Sequence, residues 1–170
     1  ESTSIRVGFA AETYPFQAPT GIVDHKFRPA PSKAGVSLSL SRAPFWGSVG
    51  ELDLRLPVSQ GRVALTGGIS YADQRMSDGS ESFSWGFTVR PIVKLGGVEF
   101  SPFYHYAWYP HGRPQALAVI NGDRLPRLPE VRRNLGEDWT EARFTNYMAG
   151  ATLKAAISGG LSFRGGLFHS

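Results

Sequence analysis

Residues 49–71 read VGELDLRLPVSQGRVALTGGISY, and apolar and polar side chains alternate along them on both sides of a break at 57–61. The alternation returns in FSWGFTV at 83–89 and in VEFSPFYHYAW at 98–108. Successive side chains of a strand point to opposite faces, so this period of two predicts strands with one apolar and one polar face. The apolar positions carry no Asp, Glu, Lys or Arg and are Leu52, Leu54, Leu56, Val63, Leu65, Ile69, Tyr71, Phe83, Trp85, Phe87, Val89, Val98, Phe100, Tyr104, Tyr106 and Trp108.

The lengths of these strands and of their connections are typical of a barrel in a bacterial outer membrane. Each strand is about ten residues long, which is the length that carries a tilted strand across a bilayer. The connections at 57–61, 95–97 and 158–160 are short, whereas 74–81 is longer and 110–140 is the longest. Outer-membrane barrels have tight periplasmic turns and long external loops. We therefore predict an all-β fold, an antiparallel up-and-down transmembrane β-barrel wall.

The chain divides into two predicted parts. Residues 32–170 hold seven predicted strands, beginning with the alternating residues 36–41 and ending with a strand from Leu161. Residues 1–31 are rich in proline, which removes ladder donors, and they leave room for one short strand at 22–27. We predict that 1–31 is the end of a plug-like segment and that 32–170 forms the first strands of the barrel.

The last strands of the barrel part are the least regular. In the strand predicted at 141–157, the apolar residues change phase between Met148 and Leu153, which requires a bulge or a different boundary. Seven is also an odd number of strands, whereas single-chain bacterial barrels close with an even number and lipid cannot satisfy a bare sheet edge. We therefore expect the chain to be part of a longer protein.

Composition narrows the possible classes of protein. The chain of 170 residues has 20 glycines and 12% aromatic residues, which suits an all-β protein with many turns. It has no cysteine, so it offers neither a disulfide framework nor a thiolate metal site. The basic residues behind the net charge of +4 are spread along the chain without a cluster between aromatic residues. We predict no nucleic-acid partner and no cofactor.

The long connection and the strand ends hold the candidate binding residues. Arginine presents a planar fork to oxyanions, so the arginines of 110–140 are candidate contacts for an anionic ligand, with a solvated loop as the alternative. These arginines are Arg113, Arg124, Arg127, Arg132 and Arg133. Aromatic side chains near the outer strand ends predict a girdle at the membrane interface. They are Trp46, Trp85, Trp108, Tyr109 and Trp139.

The polar face suggests no catalytic or metal site. Glu99, Ser101 and His105 share one face of one strand, but Ser101 and His105 are four residues apart, so at ~3.3 Å per residue their backbones are ~13 Å apart. A nucleophile and its base must approach to ~3 Å. No pair of histidines has ligand spacing on one element. We predict that the protein is not an enzyme and holds no metal.

Several segments resemble TonB-dependent outer-membrane receptors. SIRVGF at 4–9 and YPFQAPTGIVD at 14–24 are similar to the end of the plug in that family, where a Pro-Thr-Gly-like turn leads into the first barrel strand. GELDL at 50–54 and GGISY at 67–71 resemble an early strand and its return, and RNLGEDW at 133–139 resembles a loop that leads into a strand.

The resemblance implies a plugged barrel of about 22 strands that a TonB-type protein of the inner membrane energises. It implies uptake of a large scarce nutrient such as a ferric siderophore, with outer-membrane lipid as the surrounding solvent. The segment that contacts the TonB-type protein, most of the plug and most of the barrel lie outside this sequence. We therefore expect the chain to be part of such a receptor, located in the bacterial outer membrane.

Two other classes of protein remain open from the sequence. A soluble β-sandwich or a lipocalin-like binding protein has the same alternation, with its apolar face turned inward as a core. A small autonomous outer-membrane barrel, acting as an adhesin or a lipid-modifying enzyme, is the other alternative. It needs an eighth strand, for which 4–10 or 22–28 are candidates.

Overall fold

A computed structural model describes residues 2–6, 22–59, 61–115, 122–123, 130–131, 133–137, 139–158 and 160–170. By its internal contacts the chain falls into two units, Glu1–Ala30 and Pro31–Ser170. In the first unit, β1 (Ser2–Arg6) pairs antiparallel with β2 (Ile22–Lys26). The short strand expected at 22–27 is therefore present.

The second unit is one antiparallel sheet of seven strands. Each strand pairs with its neighbours in sequence, so the order across the sheet is β3 to β9 without a crossover. The strands are β3 (Gly35–Arg42), β4 (Ser48–Ser59), β5 (Val63–Arg75), β6 (Glu81–Leu95), β7 (Val98–Arg113), β8 (Phe144–Ser158) and β9 (Leu161–His169). The predicted all-β fold and the seven antiparallel strands are confirmed. No helix in the described part of the chain is long and apolar enough to cross a membrane.

The register keeps the apolar and polar side chains on separate faces across the sheet. Cα partners join one apolar row through Leu38, Leu52, Ile69, Phe87, Tyr106 and Tyr147. The next row along the strands belongs to the other face and contains Asp53, Gly68, Thr88 and His105. We call these the apolar face and the polar face. Because side chains alternate, one residue of slippage would exchange the two faces, so the apolar row fixes the register.

Burial differs between the two faces, and the polar face is the buried one. The buried side chains of β5, β6 and β7 all lie there and are Ala64, Arg90, Ile92, Ser101 and Ala107. Large side chains of the apolar face are exposed instead, with 55% of Ile69 and 44% of Phe100 accessible. A sheet that curls toward one face crowds the side chains on that face. The sheet therefore places polar groups on its crowded side and leaves an apolar surface uncovered by the described residues.

Two strand boundaries differ from those expected. β7 continues to Arg113 and includes Pro110, which lies where the pairing with β6 shifts between Phe83 and Trp85. A proline is tolerated at such an irregularity because no ladder bond requires its missing N–H. The long connection therefore begins after Arg113, not at residue 110.

Of the two explanations for the phase change between Met148 and Leu153, a bulge or a different boundary, the structure shows no bulge and a strand that begins at Phe144 instead of 141. β8 begins at Phe144, and its register with β7 runs unbroken from Phe144 to Ala155. Phe144 and Met148 therefore lie on the polar face, and Leu153 lies on the apolar face. The phase change in the sequence therefore arises because apolar residues of β8 lie on the polar face at Phe144 and Met148 and on the apolar face at Leu153. The irregularity in β8 comes later, at 156–158, where its pairing with β9 shifts.

Candidate functional site

The apolar face carries an uncharged band whose width matches a bilayer. In β5, β6, β7 and β8, no residue on this face bears a charge within 63–71, 83–95, 98–108 and 145–155, respectively. These bands are about 9 to 13 residues long, and a tilted strand crosses a bilayer in about 9–11 residues. Beyond the band at the long-connection end, charged side chains reappear on the same face, beginning with Asp73 and Glu81.

Aromatic rings gather on the apolar face at the long-connection end of this band. The rings of Trp85 and Trp108 meet edge to face with centroids 5.9 Å apart, and Trp85 lies 5.9 Å from Tyr106. Tyr71 and Phe83 form a second edge-to-face pair at 5.4 Å. Edge-to-face pairs are a favourable geometry for aromatic rings. The cross-strand register brings these rings together, since Tyr71 pairs with Trp85 and Trp85 with Trp108.

The other predicted interface residues lie elsewhere. Tyr109 follows Trp108 and therefore points to the opposite face, where its ring stacks on Phe144 at 4.1 Å. Trp139 lies in the β7–β8 connection and is 79% exposed. Trp46 lies in the turn between β3 and β4 with a positive φ of 71°, and the guanidinium of Arg42 sits 5.1 Å from its ring centroid. Trp85 and Trp108 are thus the predicted pair that the structure brings together.

The crowded polar face holds a hydrogen-bonded network between β6 and β7. Arg90 Nε donates to Ser101 Oγ at 2.8 Å, and Ser101 Oγ donates to the Pro91 carbonyl at 3.1 Å. His105 Nδ1 and Thr88 Oγ1 share a hydrogen bond of 2.9 Å. Ser101 and His105 therefore bond to different residues of β6 rather than to each other. Buried polar groups are stable when they are bonded in this way.

A cluster of charged residues lies beyond the uncharged band, at the end of the sheet that carries the long connections. His111 Nδ1 is 2.6 Å from Glu141 Oε1, and His111 Nε2 is 3.1 Å from Glu81 Oε1. Arg143 Nη2 donates to Glu141 Oε2 at 2.6 Å. We call Glu81, His111, Glu141 and Arg143 the loop-end cluster. It ties β6, β7 and the residues that precede β8 to one another.

Pairing of the strands explains how this cluster forms. Phe83 is the Cα partner of His111 and Glu81 that of Arg113, so the β6–β7 register places Glu81 beside His111. The Ala142 amide donates to the Gly112 carbonyl at 2.8 Å and brings the following connection alongside. The sequence alone does not predict this cluster, because its members are separated by long stretches of chain. The signal that could have found it is the pairing register of the β6–β7 hairpin.

Protonation controls the cluster, because only the charged imidazolium can donate from both ring nitrogens at once. Hydrogen bonds with Glu141 and then Glu81 raise the pKa of His111 above its ordinary value of 6.5. The bond from Arg143 and then that from His111 lower the pKa of Glu141 below its ordinary 4.5. The stabilisation of the folded state by His111 is present below about pH 6.5 and is lost as pH rises through its raised pKa. The stabilisation by Glu141 is present above about pH 4.5 and is lost as pH falls through its lowered pKa.

A cavity of about 220 Å³ opens beside the loop-end cluster. Its lining combines charged, amide and aromatic side chains, including Gln74, Tyr109, His111, Arg113, Gln115 and Phe144. Arg113 is thus the predicted arginine that lines a cavity. Arg133 is described, is exposed and lies in the β7–β8 connection. The remaining predicted arginines, Arg124, Arg127 and Arg132, lie outside the described residues.

No group of three or more His, Cys, Asp or Glu side chains among the described residues is arranged to hold a metal ion. The carboxylates of the loop-end cluster are instead engaged by His111 and Arg143.

Comparison of the chain with protein-family models, with curated proteins and with solved structures found no match. Any function of this chain must therefore be inferred from its residues and their geometry.

Proposed function

We propose that residues 31–170 are part of the wall of a β-barrel in a bacterial outer membrane, with the apolar face toward lipid and the polar face toward the lumen. The observation that carries this proposal is the distribution of burial between the faces. A soluble sandwich or lipocalin buries its apolar face as a core. Here the crowded face carries the polar rows and buries Arg90 and Ser101 beside Ala64, Ile92 and Ala107, whereas large side chains of the apolar face are exposed.

Strand length and connection length support an orientation for this wall. At one end of the sheet the turns at 60–62, 96–97 and 159–160 are tight, and at the other end the connection from β7 to β8 spans 114–143. Outer-membrane barrels carry their tight turns on the periplasmic side. The long connection, the aromatic rings around Trp85 and the loop-end cluster then belong to the external side, where rings sit at the headgroup level.

We further propose that the wall belongs to a TonB-dependent receptor that imports a large scarce nutrient such as a ferric siderophore. Support for this finer proposal is the resemblance of segments at 4–9, 14–24 and 133–139 to that family. The external cavity offers Arg113 and the amide groups of Gln74 and Gln115 to an anionic chelate. Arg113 would provide a fork for oxyanion groups.

The accessibility of introduced cysteines tests whether residues 31–170 span the outer membrane in the proposed orientation. Residues 1–170 contain no cysteine, so this part of the protein contributes no background labelling. Ser77→Cys lies in the β5–β6 turn and Arg62→Cys in the β4–β5 turn, and both native side chains are exposed. We expect a membrane-impermeant maleimide to label Ser77→Cys on intact cells and Arg62→Cys only after the outer membrane is permeabilised. Equal labelling at both positions, or recovery of the chain as a soluble periplasmic protein, would overturn the proposal.

Gene deletion tests the receptor separately from the wall. A strain that lacks the gene containing this chain should lose growth on one member of a panel of ferric siderophores under iron limitation. A strain that lacks the TonB-type protein should lose the same growth. Unchanged growth on the whole panel would refute the receptor and leave the wall intact. If residues 1–170 alone give a compact, heat-modifiable band in outer membranes, the small autonomous barrel replaces the receptor.

A further inference from the structure

Four charged residues form a row across four neighbouring strands at the tight-turn end of the sheet. Lys94 of β6 is the Cα partner of Glu99 of β7, Glu99 that of Lys154 of β8, and Lys154 that of Arg164 of β9. Adjacent strands are ~4.8 Å apart, so the row places its charges side by side. It lies on the polar face, which Glu99 shares with Ser101. We call these four residues the charged row.

Positive charge is in excess within this row. Glu99 pairs with Lys154 at 3.0 Å and with Lys94 at 3.4 Å, so one carboxylate serves two ammonium groups. Arg164 has no ion-pair partner among the described residues. Like charges that lie directly opposite on adjacent strands destabilise a sheet, and Lys154 and Arg164 are such a pair. A bound anion would remove this repulsion.

The row borders a cavity of about 300 Å³ that could hold the anion. Lys94, Glu99, Lys154 and Arg164 all line it, together with Ser162 and Gly97. Ser162 lies two residues from Arg164 on the same strand and therefore on the same face, so its hydroxyl adds an uncharged donor. Gly97 has no side chain to fill the space. Cations, a hydroxyl and open volume thus converge on one place.

We propose that the charged row is a binding site for a phosphate group of a small soluble molecule, held between Lys154 and Arg164. The guanidinium of Arg164 offers paired donors that match phosphate oxygens, and Lys154 adds a point charge. Glu99 pairs with both Lys94 and Lys154, so it offsets part of their positive charge and limits the charge that the site can accept. The site lies at the opposite end of the sheet from the external cavity, and it does not depend on the receptor proposal.

Binding of pyrophosphate to the purified, folded protein that contains this chain tests this site. Titration calorimetry at fixed ionic strength, with chloride as the reference salt, should give saturable binding to one site. Arg164→Gln should weaken binding at least tenfold, and Arg164→Lys should weaken it less because the charge remains. Lys33→Gln removes one positive charge from an exposed position outside the row and should leave the affinity unchanged. Equal weakening by Arg164→Gln and Lys33→Gln would show diffuse attraction and refute the site.

A second variant separates binding from damage to the fold. Glu99→Gln removes the carboxylate that neutralises the row, so pyrophosphate should bind several-fold tighter, although the ion pairs of the native chain are lost. Misfolding would abolish saturable binding to one site, so tighter saturable binding cannot come from damage to the fold. Unchanged or weaker binding by Glu99→Gln, absence of binding to the native chain at millimolar pyrophosphate, or binding to vesicles of phosphate-headgroup lipid but not to pyrophosphate would each overturn the proposal.

Discussion

Replacing Ile69 by lysine tests whether lipid or water contacts the apolar face. Ile69 is the middle residue of β5, and 55% of it is exposed. Its Cα partners are Leu52 and Phe87, so it lies in the middle of the uncharged band. A lysine on the lipid side of a barrel near the bilayer centre costs about 2–4 kcal/mol. That cost lowers the ratio of folded to unfolded protein by about 30- to 900-fold.

The neighbouring residue provides a matched control. Ser70 is also exposed but lies on the polar face, where its Cα partner on β4 is the acidic Glu51. Ser70→Lys should change the free energy of unfolding by no more than about 0.5 kcal/mol, as for other surface substitutions. Ile69→Leu keeps the side chain apolar and should cost less than about 1.5 kcal/mol.

The assay is denaturant unfolding of the full chain in lipid vesicles, followed by tryptophan fluorescence. Trp85 and Trp108 lie on the apolar face and report its exposure to lipid. The expected result is a difference of at least about 1.5 kcal/mol between Ile69→Lys and Ser70→Lys, from the two costs above. If the two lysine variants are equally stable, the apolar face does not contact lipid and the reasoning from burial fails.

Three further substitutions probe the cluster, the crowded face and strand packing. His111→Gln should speed protease cleavage near the start of β8 at about pH 6, where the imidazolium holds both carboxylates, and the difference from native protein should vanish as pH rises through the raised pKa of His111. A constant difference up to high pH would contradict this. Ile92→Ala should cost about 2–5 kcal/mol in denaturant unfolding, because this side chain has 0% exposure; a cost below 1 kcal/mol would show that the polar face is not crowded. Gly150→Ala should cost about 1–3 kcal/mol, since the new Cβ would lie 2.5 Å from the Leu167 carbonyl oxygen and 2.6 Å from the Phe103 ring. Gly166→Ala, with its nearest neighbour at 3.6 Å, should be tolerated, and equal stabilities would refute the close packing.

The sequence predicted the strands and their faces because alternation is a local property. Leu52 and Asp53 point to opposite faces whatever lies beside them, and short connections leave a hairpin as the simplest path. The seven strands and their order follow from this rule. Burial could not be predicted in the same way, since it depends on how the whole sheet curls. Ile92 lies on the polar face of β6 and is fully buried, and only the three-dimensional structure shows this burial.

The strand ends and the loop-end cluster could not be predicted from the sequence, for two different reasons. The sequence predicts that a loop begins at Pro110 because proline lacks a ladder donor, yet a shift in the β6–β7 register accommodates Pro110 within the strand. Glu81, His111 and Glu141 are about thirty residues apart in succession and meet only through strand pairing. A pattern within a short window contains no information on such a meeting.

The unbroken register between β7 and β8 has a consequence for how this protein can diversify. Their pairing runs from Val98 with Ala155 to Tyr109 with Phe144 without a shift. Lengthening a flexible loop twofold costs only about 0.6 kcal/mol in closure entropy. Insertions in the part of the β7–β8 connection that precedes Glu141 can therefore accumulate over generations, while the strands keep their partners and the sheet keeps its shape.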